Sequence, residues 1–281
     1  MQSNPGVRTS THHRTPLPHA LPHTPHRLNF SKEQSESGVT ERLFDLTVAG
    51  EVVPGVVWAP ENAKGPRPLL LMGHGGSQHK LGGRLAAMAK RYAKDFGFAA
   101  AAIDVPLHGD RMTPEESAPY FATLREQLAR AGGMTGEPVR TTLRFAEQAR
   151  REWSATLDAL QSLDFVGAAK PVGYWGLSLG AYFGIPFVAS EPRITAAVFG
   201  LAGLGDSTPD FERAARSIRI PIEFIFQWND ELIPRAEGLA LFDAFGSAEK
   251  TMHANPGGHF GMPPFEAASW DRFFLRHLTS P

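Results

Sequence analysis

A mainly parallel α/β sheet with helices on both faces is the fold class predicted by this sequence, on three observations. Short continuous apolar runs recur along the chain. Between them, apolar residues repeat at spacings of three and four, and chemically capable residues stand after the runs rather than before them. Such runs are strands covered on both faces. Strands alternating with amphipathic helices need crossover connections and so a mostly parallel sheet. A sheet of that kind gathers its reactive loops beyond the carboxyl ends of its strands.

Taken in order, residues 1–30 differ from everything after them. They hold Pro5, Pro16, Pro18, Pro22 and Pro25, the histidines His12, His13, His19, His23 and His26, and arginines without any acidic residue. Too little apolar material is present for a core, so a disordered tail is expected. The stretch lacks the apolar segment of a secretory signal. From Val39 the pattern becomes regular. Glu41–Val48 and Glu51–Trp58 flank Ala49-Gly50 as an antiparallel pair at the N-terminal edge, and Pro54 marks one of them as an edge or bulged strand. Residues 68–72, 98–103, 172–175, 194–199 and 222–226 are the buried runs, and Met252 with its neighbours forms a weaker last one. Eight strands result. Leu85, Met88, Tyr92 and Phe96 trace a helix with Gly97 at its cap, and Ala146, Ala149, Trp153, Leu157 and Leu160 trace another. Residues 31–281 read as a single domain, because the motifs below span residues 73 to 259. Residues 112–139 and 203–217 do not fit the alternation, and they read either as insertions that wall a pocket, with Tyr120 and Phe121 in the first, or as peripheral insertions that pack only on themselves.

Gly176-Leu177-Ser178-Leu179-Gly180 follows an apolar run and precedes a helix-compatible stretch. It reads as a nucleophile elbow, a sharp strand-to-helix turn that lifts a serine hydroxyl clear of its own backbone. An acid and then a histidine should follow. Asp230 ends the run Ile220–Gln227 in an acidic turn closed by Pro234, and His259 sits in a glycine-rich loop after the last strand. Leu69–Met72 runs into Gly73-His74-Gly75-Gly76, a loop whose backbone amides can serve a developing oxyanion together with the amide after the nucleophile. Gly76 and Leu179 take those two roles, with His74 shaping the loop beside the pocket.

Other residues compete for these roles. Asp104 and Asp110 precede the serine, which places them with Arg111 in a structural loop. Asp206 and Asp210 remain substitutes for the acid, and Glu231 reads as solvated. His108 resembles His74 in kind, His253 and His277 read as structural or exposed, and Trp228 as a core residue.

On Gly73–Gly76, Ile103–Arg111, Gly176–Gly180, Asn229–Pro234 and Gly257–His259, residues 39 to 278 resemble the serine hydrolases of the α/β-hydrolase superfamily, in its dienelactone-hydrolase-like and prolyl-oligopeptidase-like esterase branch. The resemblance implies the α/β-hydrolase fold and cleavage of carboxylic esters through an acyl-enzyme. Dienelactone hydrolases usually carry a cysteine nucleophile, whereas this chain has serine and no cysteine, which favours ordinary esters. A peptidase or aminoacyl-bond hydrolase, a carbon–carbon bond hydrolase and a non-catalytic binding protein on this scaffold stay open. A haloalkane or epoxide hydrolase would need an acidic residue at position 178.

Composition narrows the partners. A net charge of −1 creates no field toward nucleic acid. No run approaches a membrane span, and no metal or organic cofactor is implied. Zero cysteines exclude disulfides and agree with a cytoplasmic location. A small-molecule ester is the expected partner.

Overall fold

The computed structural model describes residues 26–206 and 208–279. The tail expected over residues 1–30 lies almost wholly outside them. Strands β1 (Asn29–Glu36), β2 (Val39–Val48), β3 (Glu51–Pro60), β4 (Leu69–Gly73), β5 (Ala99–Ile103), β6 (Val172–Leu177), β7 (Ile194–Gly200), β8 (Ile222–Gln227) and β9 (Lys250–Asn255) form one sheet. Its order is β1-β2-β3-β5-β4-β6-β7-β8-β9. The first three strands pair antiparallel, β3 meets β5 antiparallel, and every later pair is parallel.

Nine strands replace the eight expected. The additional strand, β1, is exposed at all eight residues and reads Asn-Phe-Ser-Lys-Glu-Gln-Ser-Glu, so it joins the sheet by backbone pairing and offers no apolar run to find. It is also the true edge, and its charges suit one. Pro54 therefore sits on an interior strand, without a bulge against β2. The β3–β5 ladder begins only at Gly55, so the missing N–H of Pro54 is not needed there.

Helices α1 (Gly83–Phe96), α2 (Pro114–Ala131), α3 (Glu137–Leu143), α4 (Ala146–Gln161), α5 (Leu179–Ser190), α6 (Pro209–Ser217), α7 (Arg235–Ala244) and α8 (Glu266–Leu278) complete the chain. Each face of the sheet has its own core. One joins Leu69, Leu71, Tyr174 and Phe199 to Trp153 of α4, Phe187 of α5, Phe211 of α6 and Leu241 of α7. The other joins Leu70, Met72, Trp175 and Val198 to Leu85 and Tyr92 of α1 and to Trp270 and Phe274 of α8. The period-3.6 stripes of α1 and α4 are the faces that these cores cover, as the left-handed cap at Gly97 also agrees (φ 72°). Among the described residues no helix is long and apolar enough to cross a membrane.

Candidate active site

The turn between β6 and α5 shows why its glycines are there. Ser178 has φ 55° and ψ −120°, a strained left-handed conformation. A Cβ on Gly176 would stand 2.5 Å from the carbonyl oxygen of Gly180, and one on Gly180 would stand 2.5 Å from that of Gly73. The buried Tyr174 hydroxyl donates to the Gly180 carbonyl at 2.8 Å. Strand β4, strand β6 and the first turn of α5 are thus in backbone contact, and the serine projects from a braced corner. As the first helical residue, Leu179 keeps an amide without an intrahelical partner.

Three distant loops meet at that corner. His259 Nε2 lies 3.0 Å from Ser178 Oγ, and its Nδ1 lies 2.9 and 3.0 Å from the two Asp230 carboxylate oxygens. The side chains of His259 and Asp230 are 5% and 3% exposed, so their pairing is shielded from competing water. Asp230 Oδ1 also accepts from the amides of Leu232 and Ile233, both at 2.8 Å, which fixes the carboxylate in its turn. A carboxylate that only accepts leaves Nδ1 as the donor, so Nε2 presents its lone pair to the serine hydroxyl.

Glu231 is exposed, as expected, and also has a structural partner. Its Oε2 accepts from the His259 amide at 2.8 Å, while buried Gln227 donates to the Gly258 carbonyl at 2.8 Å. These two residues hold the histidine loop from below. Sequence reasoning weighed Glu231 only as a solvated neighbour of the acid and did not single out Gln227.

Gly76 and Leu179 line one cavity with Ser178 and His259. His74, at the head of the Gly-Gly loop, is 1% exposed. Its Nε2 lies 3.3 Å from the Val105 amide and its Nδ1 2.9 Å from the Gly75 carbonyl. An amide can only donate and a carbonyl only accept, so His74 is the neutral Nδ1–H tautomer. Burial, with the His108 ring beside it, pushes its pKa down to about 4. His108 is likewise buried, lowered by burial and bonded to the Pro106 carbonyl. Neither ring is hydrogen-bonded to the serine.

The loop after β5 is tied around Asp104, which is fully buried. Its carboxylate takes the Lys80 amide and ammonium at 2.7 Å each and the Asp110 amide at 2.9 Å. Gly109, at φ 57°, passes so close that a Cβ would stand 2.2 Å from that carboxylate carbon. Arg111 bonds buried Glu152 at 2.7 Å. Asp104, Asp110 and Arg111 are therefore occupied with one another's loop, and Lys80, which has no motif around it, is the unforeseen member. Trp228, read as core, is 44% exposed beneath the Arg235 guanidinium. His277 packs on Phe273 near Glu249.

The cavity measures about 550 Å3. Tyr120, Phe121 and Leu124 of α2 line it together with Phe183 and Met262. Of residues 203–217, the other candidate wall, none of those described lines it. Phe211 turns inward and packs on Tyr182, so the apolar side of α6 serves the core.

No protein-family model matches the chain, and no curated protein does. Solved structures do. A cold-adapted esterase from an Arctic intertidal metagenomic library, in a PEG-bound complex, is 34% identical, with 89% of this chain and 99% of that one covered and a TM-score of 0.73. The chain belongs to the α/β-hydrolase superfamily, among its esterases. Two further solved structures share its fold at lower identity. An acetyl xylan esterase from Paenibacillus sp. R4 is 17% identical over 90% of this chain and 89% of its own, with a TM-score of 0.68. A dienelactone hydrolase from Anabaena variabilis ATCC 29413 is 18% identical over 86% and 99%, with a TM-score of 0.60.

Proposed function

We propose that this α/β-hydrolase cleaves carboxylic esters through an acyl-enzyme, with Ser178 as nucleophile, His259 as general base and acid, and Asp230 as the partner that orients the imidazole. The observation that carries the reading is the unbroken path from Ser178 Oγ through His259 to Asp230, with contacts of 3.0 and 2.9 Å. As the hydroxyl oxygen attacks the ester carbonyl, its proton passes to His259 Nε2. The Asp230 carboxylate stabilises the resulting imidazolium, and the Gly76 and Leu179 amides receive the oxyanion. Collapse of the tetrahedral intermediate expels the alcohol, which takes the proton from Nε2. Water then attacks the acyl-enzyme by the same route, releasing the acid and restoring the serine.

An apolar cavity walled by Phe121, Leu124 and Phe183 suits an uncharged acyl or alkyl group. Zero cysteines remain in keeping with a reducing, cytoplasmic setting. The test is labelling by a fluorophosphonate, read by intact mass, together with turnover of p-nitrophenyl esters. One label on Ser178 and loss of both labelling and turnover in Ser178→Ala are expected. Persistent turnover in that variant refutes the assignment, and turnover of peptide amides but not esters would move the reading to a peptidase.

A further inference from the structure

On the outer strands, away from the serine, Glu223 of β8, His253 of β9 and Glu266 of α8 converge. One ligand-capable atom from each lies within 4.8 Å of the others. The carboxylates are 6% and 3% exposed, and the imidazole is 32% exposed. His253 Nδ1 lies 2.9 Å from Glu266 Oε2 and 3.8 Å from Glu223 Oε1. The outer oxygens are already held. Ser269 donates to Glu223 Oε2 at 3.1 Å, and Asn255 donates to Glu266 Oε1 at 2.9 Å. Glu223 Oε1 alone is buried without a hydrogen-bond partner, and it faces the imidazole.

Two buried carboxylates are costly unless charge compensates them. Among the described residues no Lys or Arg forms an ion pair with either one, Arg272 acts on Glu223 only at longer range, and one imidazole can offset at most one of the two charges. A divalent cation would balance both. One nitrogen and two oxygens form a donor set that zinc and its neighbours accept, and ligands about 2.1 Å from a tetrahedral ion stand about 3.4 Å apart. The two measured separations from Nδ1 bracket that spacing. Ser269 and Asn255 hold the non-ligating oxygens as outer partners do at metal sites. The half-exposed imidazole leaves a side open for entry and for a water as fourth ligand.

We propose that Glu223, His253 and Glu266 bind one divalent transition-metal ion through Oε1, Nδ1 and Oε2. Its role is structural. His253 near the end of β9 and Glu266 at the start of α8 flank the loop that carries His259, so the ion would clamp both ends of that loop to β8.

The test uses the full chain, stripped with a chelator and titrated calorimetrically with Zn2+. The tail histidines can bind zinc too, so the comparison is with Glu223→Gln and His253→Ala in the same full chain. One equivalent whose affinity falls at least 10-fold in each variant is expected. At 100 times its Kd, zinc should raise the Tm of the parent by several degrees and that of Glu223→Gln far less. Metal-free Glu223→Gln should be no less stable than the metal-free parent, since it removes a buried charge. Should it fail to fold, His253→Ala, altered at a half-exposed position, carries the comparison alone. Equal zinc binding in parent and variants would assign the metal to the tail and overturn the proposal, as would no binding at all. Ester turnover of the stripped enzyme, read in parallel, keeps this outcome separate from the serine assignment.

Discussion

The turn carrying Ser178 and the helix α2 border the same cavity, but they are held in opposite ways. The turn is fixed by backbone in contact with backbone, Gly73 against Gly180 and Gly180 against Gly176, with no space for a methyl group. Helix α2 runs 18 residues without one fully buried side chain, and is fixed mainly at its ends, by the Thr113–Glu116 capping box and the left-handed Gly132. The difference teaches where tolerance lies. Groups that handle protons must keep their geometry to fractions of an ångström, whereas a wall only has to exclude and accommodate.

The comparison breaks first at the proton path. Asp230→Asn keeps the shape of the turn but offers His259 an amide where it needs an acceptor of fixed charge. Turnover at neutral pH should fall on the order of 10^4-fold with little change in KM. Steady-state kinetics on one p-nitrophenyl ester checks this, and a loss below about 10-fold would show that Asp230 does not orient the base.

The packing of the turn is tested next, at Gly180→Ala. The new methyl would stand 2.5 Å from the Gly73 carbonyl oxygen, which belongs to a central strand and cannot yield cheaply. A loss of about 3 kcal/mol in urea unfolding is expected, with activity falling alongside it. An unchanged midpoint would mean that the corner is less tightly braced than its contacts indicate.

How much of this was readable beforehand follows the same division. Ser178, Asp230 and His259 could be singled out as candidates because each stands in a short segment whose neighbours betray the turn: glycines at 176 and 180, Pro234 after Asp230, Gly257-Gly258 before the histidine. The inner parallel strands, β4 to β8, were legible because both of their faces are apolar. Strand β1 was not, since all of its residues are polar or exposed and its stability lies in backbone pairing. Lys80 and Gln227 left no trace either. Their partners, Asp104 and Gly258, stand 24 and 31 residues away, and only the folded chain brings them together. Residues 203–217 were ambiguous for a related reason: a polar start and a helical end suit a pocket wall and a peripheral insertion alike, and the inward Phe211 and Ala215 decide where α6 packs.

A third test concerns pH. His74 titrates at about 4 in the folded chain, below its ordinary value of 6.5. The unfolded chain therefore binds more protons between those values, so stability is fully present above pH 6.5 and is lost as pH falls toward 4. About two pKa units act between pH 7.5 and 4.5, or about 2 to 3 kcal/mol. His74→Gln should be less stable at pH 7.5 but should lose that much less stability on acidification. Equal pH slopes in the two proteins would show that His74 is not held neutral by its surroundings.

The smallest effect is expected where the contrast with the turn is greatest. Tyr120 and Phe121 are half-buried and pack on each other, Phe121 also packs on His108, and both contribute to the cavity rather than to either core. Tyr120→Ala and Phe121→Ala should each cost no more than about 1 kcal/mol of stability, because little apolar area is removed from a packed interior. The cavity wall they leave would be recessed by a ring, and one methylene in an apolar pocket already discriminates about 10-fold. The ratio of kcat/KM for hexanoate over acetate esters should therefore change by about 10-fold, with Ser178 labelling by fluorophosphonate unaffected. A large stability loss with an unchanged ratio would reverse the distinction, making α2 a structural support rather than the adaptable wall of a rigid catalytic corner.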